Sequence, residues 1–175
     1  MSKSSRTTSS AVITDMKTVY LSNEPTILEL GSDEVHVKVE ATMVKQADLV
    51  LNSQIDYCSP KKSTYGMGSE AVGTIVRVGS PEHTGLIGSK VGLCKFWNSM
   101  GAKDQGCWRE LITCSVSELI FFQSDIKDEL AVQALLEPFC IFGLLDYAET
   151  HGFSHLMIDE ADSRFGRILS SVALS

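Results

Sequence analysis

GSEAVGTIVRVGS, residues 68–80, reads as one β-strand with a glycine set into it. Val72, Thr74, Ile75, Val76 and Val78 are β-branched, which suits a pleated, half-buried segment. Gly73 interrupts them, and a glycine inside a strand marks a bulge or the tight bend of a small barrel. VHVKVEA, residues 35–41, lies upstream and alternates strictly. Val35, Val37 and Val39 share one face while His36, Lys38 and Glu40 share the other, the pattern of a strand with one side in water.

Working outward, KTVYL (17–21) and TILEL (26–30) flank the turn cluster Asn23-Glu24-Pro25. SKVGLC (89–94), CWRELITC (107–114) and ELIFF (118–122) supply three more candidate strands, with glycine and polar turns between them. Many short strands of this kind predict a small barrel or sandwich. After Phe122 the period changes. Ser124 or Asp125 is expected to cap a helix over IKDELAVQALL, whose Asp128 and Glu129 favour its N-terminal turn. Pro138 then interrupts, and FCIFGLLDYAETHG predicts a second helix ending at Gly152. HLMI (155–158) reads as a strand, a turn follows, and an amphipathic helix runs from Arg164.

With 43% apolar residues among 175 the chain has material for a core. Fifteen basic against 22 acidic residues give a net charge of −7, so bulk charge does not suggest a nucleic-acid partner. The five cysteines are an odd number, widely spaced and without a CxxC pair, which fits buried thiols in a reducing, intracellular setting better than a disulfide framework or a zinc knuckle. No apolar run approaches the ~20 residues needed to cross a bilayer, so no membrane span is expected. The first stretch, MSKSSRTTSSAVIT, is rich in Ser and Thr, carries Lys3 and Arg6 and has no acid before Asp15. It reads as a flexible tail or a mitochondrial transit-like segment over residues 1–15. His36, His83, His151 and His155 have no ligand-like spacing, and no metal is expected.

Five phrases carry a resemblance: VHVKVEATMVKQADL, GSEAVGTIVRVGS, TGLIGSKVGL, GCWRELIT and SELIFFQSDI. Their order resembles that of the medium-chain dehydrogenase/reductase superfamily, in which a GroES-like barrel is joined to a doubly wound cofactor domain. The resemblance implies a mostly β fold with helices. A partly open GroES-like barrel (16–124) would be followed by connecting helices (125–152) and a truncated start of a Rossmann-type α/β unit (153–175), one strand and one helix. The zinc-dependent branch places a Cys ahead of the Asp in the segment ending ADL and a His in a GHE triplet. This chain has Lys45 near the first place and Ser69 at the second. A protonated lysine cannot ligate zinc and serine is a poor substitute for imidazole, so the resemblance is to a zinc-free branch. GCWRE and ADSRFG are similar to segments of quinone oxidoreductases and mitochondrial enoyl-thioester reductases. The enoyl-thioester reductases deliver hydride from NADPH to the β-carbon of a trans-2-enoyl thioester. Tyr57 stands at about the distance from Glu70 at which they place a tyrosine, whose phenol can serve a developing enolate; its other reading is a loop tyrosine beside Cys58-Ser59-Pro60.

A dinucleotide turn needs glycines so that backbone can approach the pyrophosphate at a helix N-terminus. Here the turn is Asp159–Gly166, DEADSRFG. Ala161, Ser163 and Gly166 stand at cofactor-binding positions as vestiges, and Arg164 replaces a small residue. Asp159, Glu160 and Asp162 put carboxylates where a pyrophosphate would lie, and like charges about 4 Å apart repel by about 4 kcal/mol at an effective dielectric of 20. Arg164 could offset part of this by binding phosphate; alternatively Asp162 or Ser163 simply caps the helix. The first expectation is therefore a degenerate reductase without a cofactor, not catalytic, serving as a structural or accessory subunit beside other protein subunits in a hetero-assembly, plausibly mitochondrial. The alternative is the N-terminal portion of an active enoyl-thioester or quinone reductase that uses NADP(H).

Overall fold

A computed structural model of the chain describes residues 8–14, 18–25, 29–45, 48, 65–94 and 106–174. These divide into two compact units, residues 1–132 and 133–175.

The first unit is mostly β. Its larger sheet has five antiparallel strands in the order β7-β3-β5-β6-β8: β3 (Glu34–Thr42), β5 (Glu70–Val78), β6 (Lys90–Cys94), β7 (Leu111–Ser115) and β8 (Leu119–Phe121). Val35 and Val37 are fully buried, as their alternation predicts, and they pack with Ala71, Ile75, Val91, Leu93, Cys107, Ile112 and Cys114. Burial of each large aliphatic side chain contributes about 1.5–3 kcal/mol, so these residues carry most of this unit's stability. His36 departs from the expectation of a solvent face, being buried at 3% exposure. Across the sheet it lies between Arg77 of β5 and Thr113 of β7, and the burial is local, since Lys38 two residues on is exposed.

Gly73 sits where the β3–β5 register slips. Val39 faces Gly73 and Ala41 faces Val72, so Glu40 is the extra residue of a bulge. A Cβ on Gly73 would stand 2.1 Å from the Lys38 carbonyl oxygen, which is why only glycine fits.

A smaller antiparallel sheet, β2-β1-β4, is formed by β1 (Thr8–Thr14), β2 (Val19–Pro25) and β4 (Tyr65–Gly66). Thr8–Thr14 is thus an ordered strand and not a flexible tail. Strand pairing draws on backbone groups, so a Ser/Thr-rich run serves as well as an apolar one once β2 and β4 lie on either side. The strand is also tied to the segment before β7. Ser10 N–H donates to the Glu110 carboxylate (2.8 Å), Glu110 N–H donates to the Ser10 carbonyl (3.0 Å), and Ala11 forms a β-bridge with Arg109.

A short helix, α1 (Asp128–Ala131), packs on β3 and β5 and belongs to this unit. Neither Ser124 nor Asp125 caps it: Lys127 holds the N-cap position without a side-chain hydrogen bond. Its start is fixed instead by Lys90 of β6, which pairs with Asp128 at 2.8 Å and donates to the Ile126 carbonyl.

The second unit is helical. α2 spans Leu136–Thr150 and α3 spans Arg164–Ala173. Pro138 does not interrupt a helix; it lies in the first turn of α2, where its missing N–H has no intrahelical acceptor to lose. α2 ends as its glycine predicts. Gly152 has φ +68, its N–H donates to the Glu149 carbonyl at 3.0 Å, and Phe153 N–H donates to the Ala148 carbonyl at 2.9 Å, a Schellman closure. Tyr147, His151 and Phe153 stack on the outside of that closure. HLMI does not form a strand, and Met157 is 97% exposed. A strand exists through its hydrogen-bonded neighbours, and among the described residues none lies beside it. The expectation about bilayer-length runs also needs correction: the helical stretch Asp128–Thr150, 23 residues, is long and apolar enough by length and composition alone. Its apolar share is that of a helix made to be covered, and the 3₁₀ turn at Val132–Ala134 breaks its regularity.

Candidate functional site

Among the described residues, each unit brings together a group of side chains with chemical potential. In the β unit it forms where β3 ends and β5 begins. The chain leaves β3 at Thr42 and turns at Lys45. Asp48 holds that turn from both directions: its carboxylate accepts the Lys45 N–H at 2.9 Å, and its own N–H donates to the Lys45 carbonyl at 3.1 Å. Asp48 is itself buried, at 5% exposure. With its backbone fixed, Lys45 directs its ammonium onto the Glu70 carboxylate, an ion pair whose side chains are 15% and 2% exposed. Thr42 adds a hydroxyl donor to the Glu70 carbonyl.

The neighbouring wall is made by two segments that interlock. Gly68, with φ +90, lies against the indole of Trp108, and a Cβ there would stand 2.2 Å from Trp108 Cδ1. Trp108 Nε1 donates to the Met43 carbonyl at 2.8 Å, and its backbone N–H donates to Met67 at 2.8 Å. Cys107 N–H donates to the Gly68 carbonyl at 2.9 Å. Gly106, at φ +64, leaves no room for a side chain against Gly66 and Met67. GSE and GCWRE are therefore two sides of one contact, with Lys45 and Glu70 beside it in the chain.

This group has the character of a charge-paired hydrogen-bond donor. The ammonium offers three N–H groups and no acceptor, and its one described side-chain partner is Glu70. Among the described residues no three His, Cys, Asp or Glu side chains gather in a way that could hold a metal ion. Ser69 adjoins Glu70, but the structure makes Lys45–Glu70, not Lys45–Ser69, the interacting pair. Sequence reasoning placed Lys45 only as a missing ligand; a lysine so near a buried strand needs a counter-charge, and that was the available signal. Tyr57 lies outside the described residues.

In the helical unit the turn before α3 brings together Ala161, Ser163 and Gly166. Ser163 is the cap: its Oγ accepts the Gly166 N–H at 3.0 Å. A Cβ on Gly166 would meet the Glu160 carbonyl at 2.6 Å and Ala161 Cα at 2.7 Å, so the glycine permits the helix to press against its own leading turn. Glu160 adopts φ +51, which places strain on a non-glycine residue. Arg164 Nε pairs with Glu137 at 3.2 Å, and Arg167 Nε donates to the Asp162 carbonyl at 2.8 Å. Asp159, Glu160 and Asp162 are exposed around this helix start.

NADP(H) is the group such a turn would hold, and these residues fit its pyrophosphate only in part. The close approach at Gly166 and the capped helix start keep the geometric half of a phosphate site. The electrostatic half is reversed, because Arg164 is engaged by Glu137 while three carboxylates surround the positive end of α3.

The half-barrel with its interlocked glycine and tryptophan segments defines the class of protein. Residues 31–123 match the alcohol dehydrogenase GroES-like domain, and the chain belongs to that family, within the medium-chain dehydrogenase/reductase superfamily. No curated protein matches the chain. Among solved structures, a protein of Mesorhizobium loti assigned as an NADPH:quinone reductase is similar at TM-score 0.77 and 18% identity, over 95% of this chain and 52% of its own. A protein of Bacillus thuringiensis with the same assignment is similar at TM-score 0.75 and 18% identity, over 95% and 49%. A mycobacterial protein described in complex with NADPH is similar at TM-score 0.59 and 23% identity, over 78% and 40%. At these identities the likeness is one of fold, and the chain spans about half the length of the first two.

Proposed function

We propose that this chain is the substrate-side, N-terminal part of an NADPH-dependent reductase acting on quinones or enoyl thioesters. The buried Lys45–Glu70 pair is the observation that carries this reading, a cationic donor held where β3 ends and β5 begins, next in sequence to the ordered Gly68–Trp108 contact. The assignments of the similar folds as NADPH:quinone reductases support the reductant and the substrate class. Lys45 would face an electron-poor carbonyl oxygen, and the ordered wall would exclude water from it. The acidic turn at Asp159–Asp162 offers the cofactor a weak hold, so a longer polypeptide has to supply most of the affinity.

A second reading keeps one observation, that same turn: a reductase fold retired to a structural role. A mitochondrial location and partner subunits in a hetero-assembly belong to it. Intact mass of the native polypeptide, with NADPH oxidation assayed against a quinone and a trans-2-enoyl thioester, separates the two. A native chain about twice this length, as the 49% and 52% coverages suggest, with substrate-dependent oxidation supports the reductase. A native chain of this length in a large complex, silent toward NADPH at millimolar concentration, overturns it.

A further inference from the structure

We propose that Lys45 is an oxyanion-binding residue, a resident cation that receives the carbonyl oxygen of the substrate as that oxygen gains negative charge. The identity of the substrate rests on the reductase reading; the oxyanion site does not.

The argument begins with burial. Glu70 is 2% exposed and Lys45 15% exposed, and withdrawing both charges from water is not repaid by their mutual attraction alone. A structural role would be served as well by two apolar side chains of the same volume. The pair is also lopsided. Glu70 is enclosed at the start of β5, whereas the lysine keeps contact with solvent and has N–H groups beyond the one a single carboxylate engages. The backbone of Lys45 is held by Asp48 through two hydrogen bonds and its ammonium by Glu70, so the donor is placed before any ligand arrives. A donor fixed in advance, in a partly dry setting, stabilises charge that develops on a neighbouring oxygen without reorganising.

Glu70 has a distinct part in this. A lone buried ammonium would hold any passing anion tightly. The carboxylate behind it weakens that hold, so the site gains most from an oxygen whose charge appears only during reaction. The two residues thus act with opposite signs on the affinity for a stable anion.

That opposition gives the test. 4-Nitrophenol changes colour on ionisation and its phenolate resembles an enolate or hydroquinone oxyanion. At a pH equal to the probe's own pKa, adding the wild-type chain should raise phenolate absorbance. K45M should abolish the response, K45R should retain part of it, and E70Q should tighten phenolate binding by about tenfold, with melting curves recorded for each. A wild-type chain that gives no response overturns the proposal whatever the variants do. So does a K45M chain that responds like wild type, or K45M and E70Q both losing the response as their melting temperatures fall, the mark of a purely structural pair. A response that needs Lys45 in a protein whose native form oxidises no NADPH would remove the reductase reading and leave the oxyanion site standing.

Discussion

The indole of Trp108 occupies the space where a side chain on residue 68 would begin: a Cβ on Gly68 would be 2.2 Å from Trp108 Cδ1. Steric exclusion at Gly68 and the hydrogen bond from Trp108 Nε1 to the Met43 carbonyl hold three segments of chain in register.

Gly68→Ala should therefore destabilise the β unit by roughly 2–4 kcal/mol, from the clash together with the φ of +90. Urea denaturation followed by tryptophan fluorescence, in a Trp97→Phe background, reads both effects. A midpoint equal to wild type would mean that the indole is not seated there.

Trp108→Phe keeps the ring contact in part and deletes the donor to Met43. The Met43 carbonyl loses one partner, a change of about 1 kcal/mol in unfolding free energy. The phenolate titration repeated in this variant, with Lys45 intact, would report whether the wall also positions Lys45.

Gly73→Ala is expected to be worse than Gly68→Ala. The new methyl would sit 2.1 Å from the Lys38 carbonyl oxygen, backbone that cannot swing aside, in the pairing of two interior strands. A loss of at least about 3 kcal/mol follows, and circular dichroism during thermal melting should show it directly.

Ser163→Ala removes the cap of α3. The Gly166 N–H loses its acceptor, and helix stability should fall by about 1 kcal/mol, most of it restored by Ser163→Asp. Hydrogen exchange at the amides of residues 164–167 measures this locally.

The chain as it stands should bind NADPH no more tightly than millimolar. Replacing Asp159, Glu160 and Asp162 by their amides should raise that affinity by about tenfold at low salt, and the gain should shrink as salt is added. Fluorescence titration at two ionic strengths decides it; a salt-independent gain would mean that something other than charge was limiting.

Much of the fold was legible in the chain because its rules are local. The alternation at Val35 and Val37, the bulge glycine at Gly73 and the closing glycine at Gly152 each act within a few residues of themselves. What escaped reading was set at a distance. His36 is buried between Arg77 and Thr113 of its neighbouring strands while Lys38 of the same alternation is exposed, and nothing in VHVKVEA reveals that. Thr8–Thr14 is a strand because β2 and β4 flank it, although its composition suits a tail. HLMI has the composition of a strand and lacks a neighbour. The site divides in the same way. Ser163 is a possible cap on its place before Arg164 alone, whereas the close approach at Gly166 emerges only in the folded turn. The pairing of Lys45 with Glu70 crosses from the end of one strand to the start of another, and only the folded chain makes it visible.

The reciprocal hydrogen bonds between Ser10 and Glu110 make the small sheet depend on a residue a hundred positions down the chain. Removing Thr8–Thr14 would leave β2 and β4 without the strand that both pair with, and would take from the segment entering β7 its tie to the small sheet.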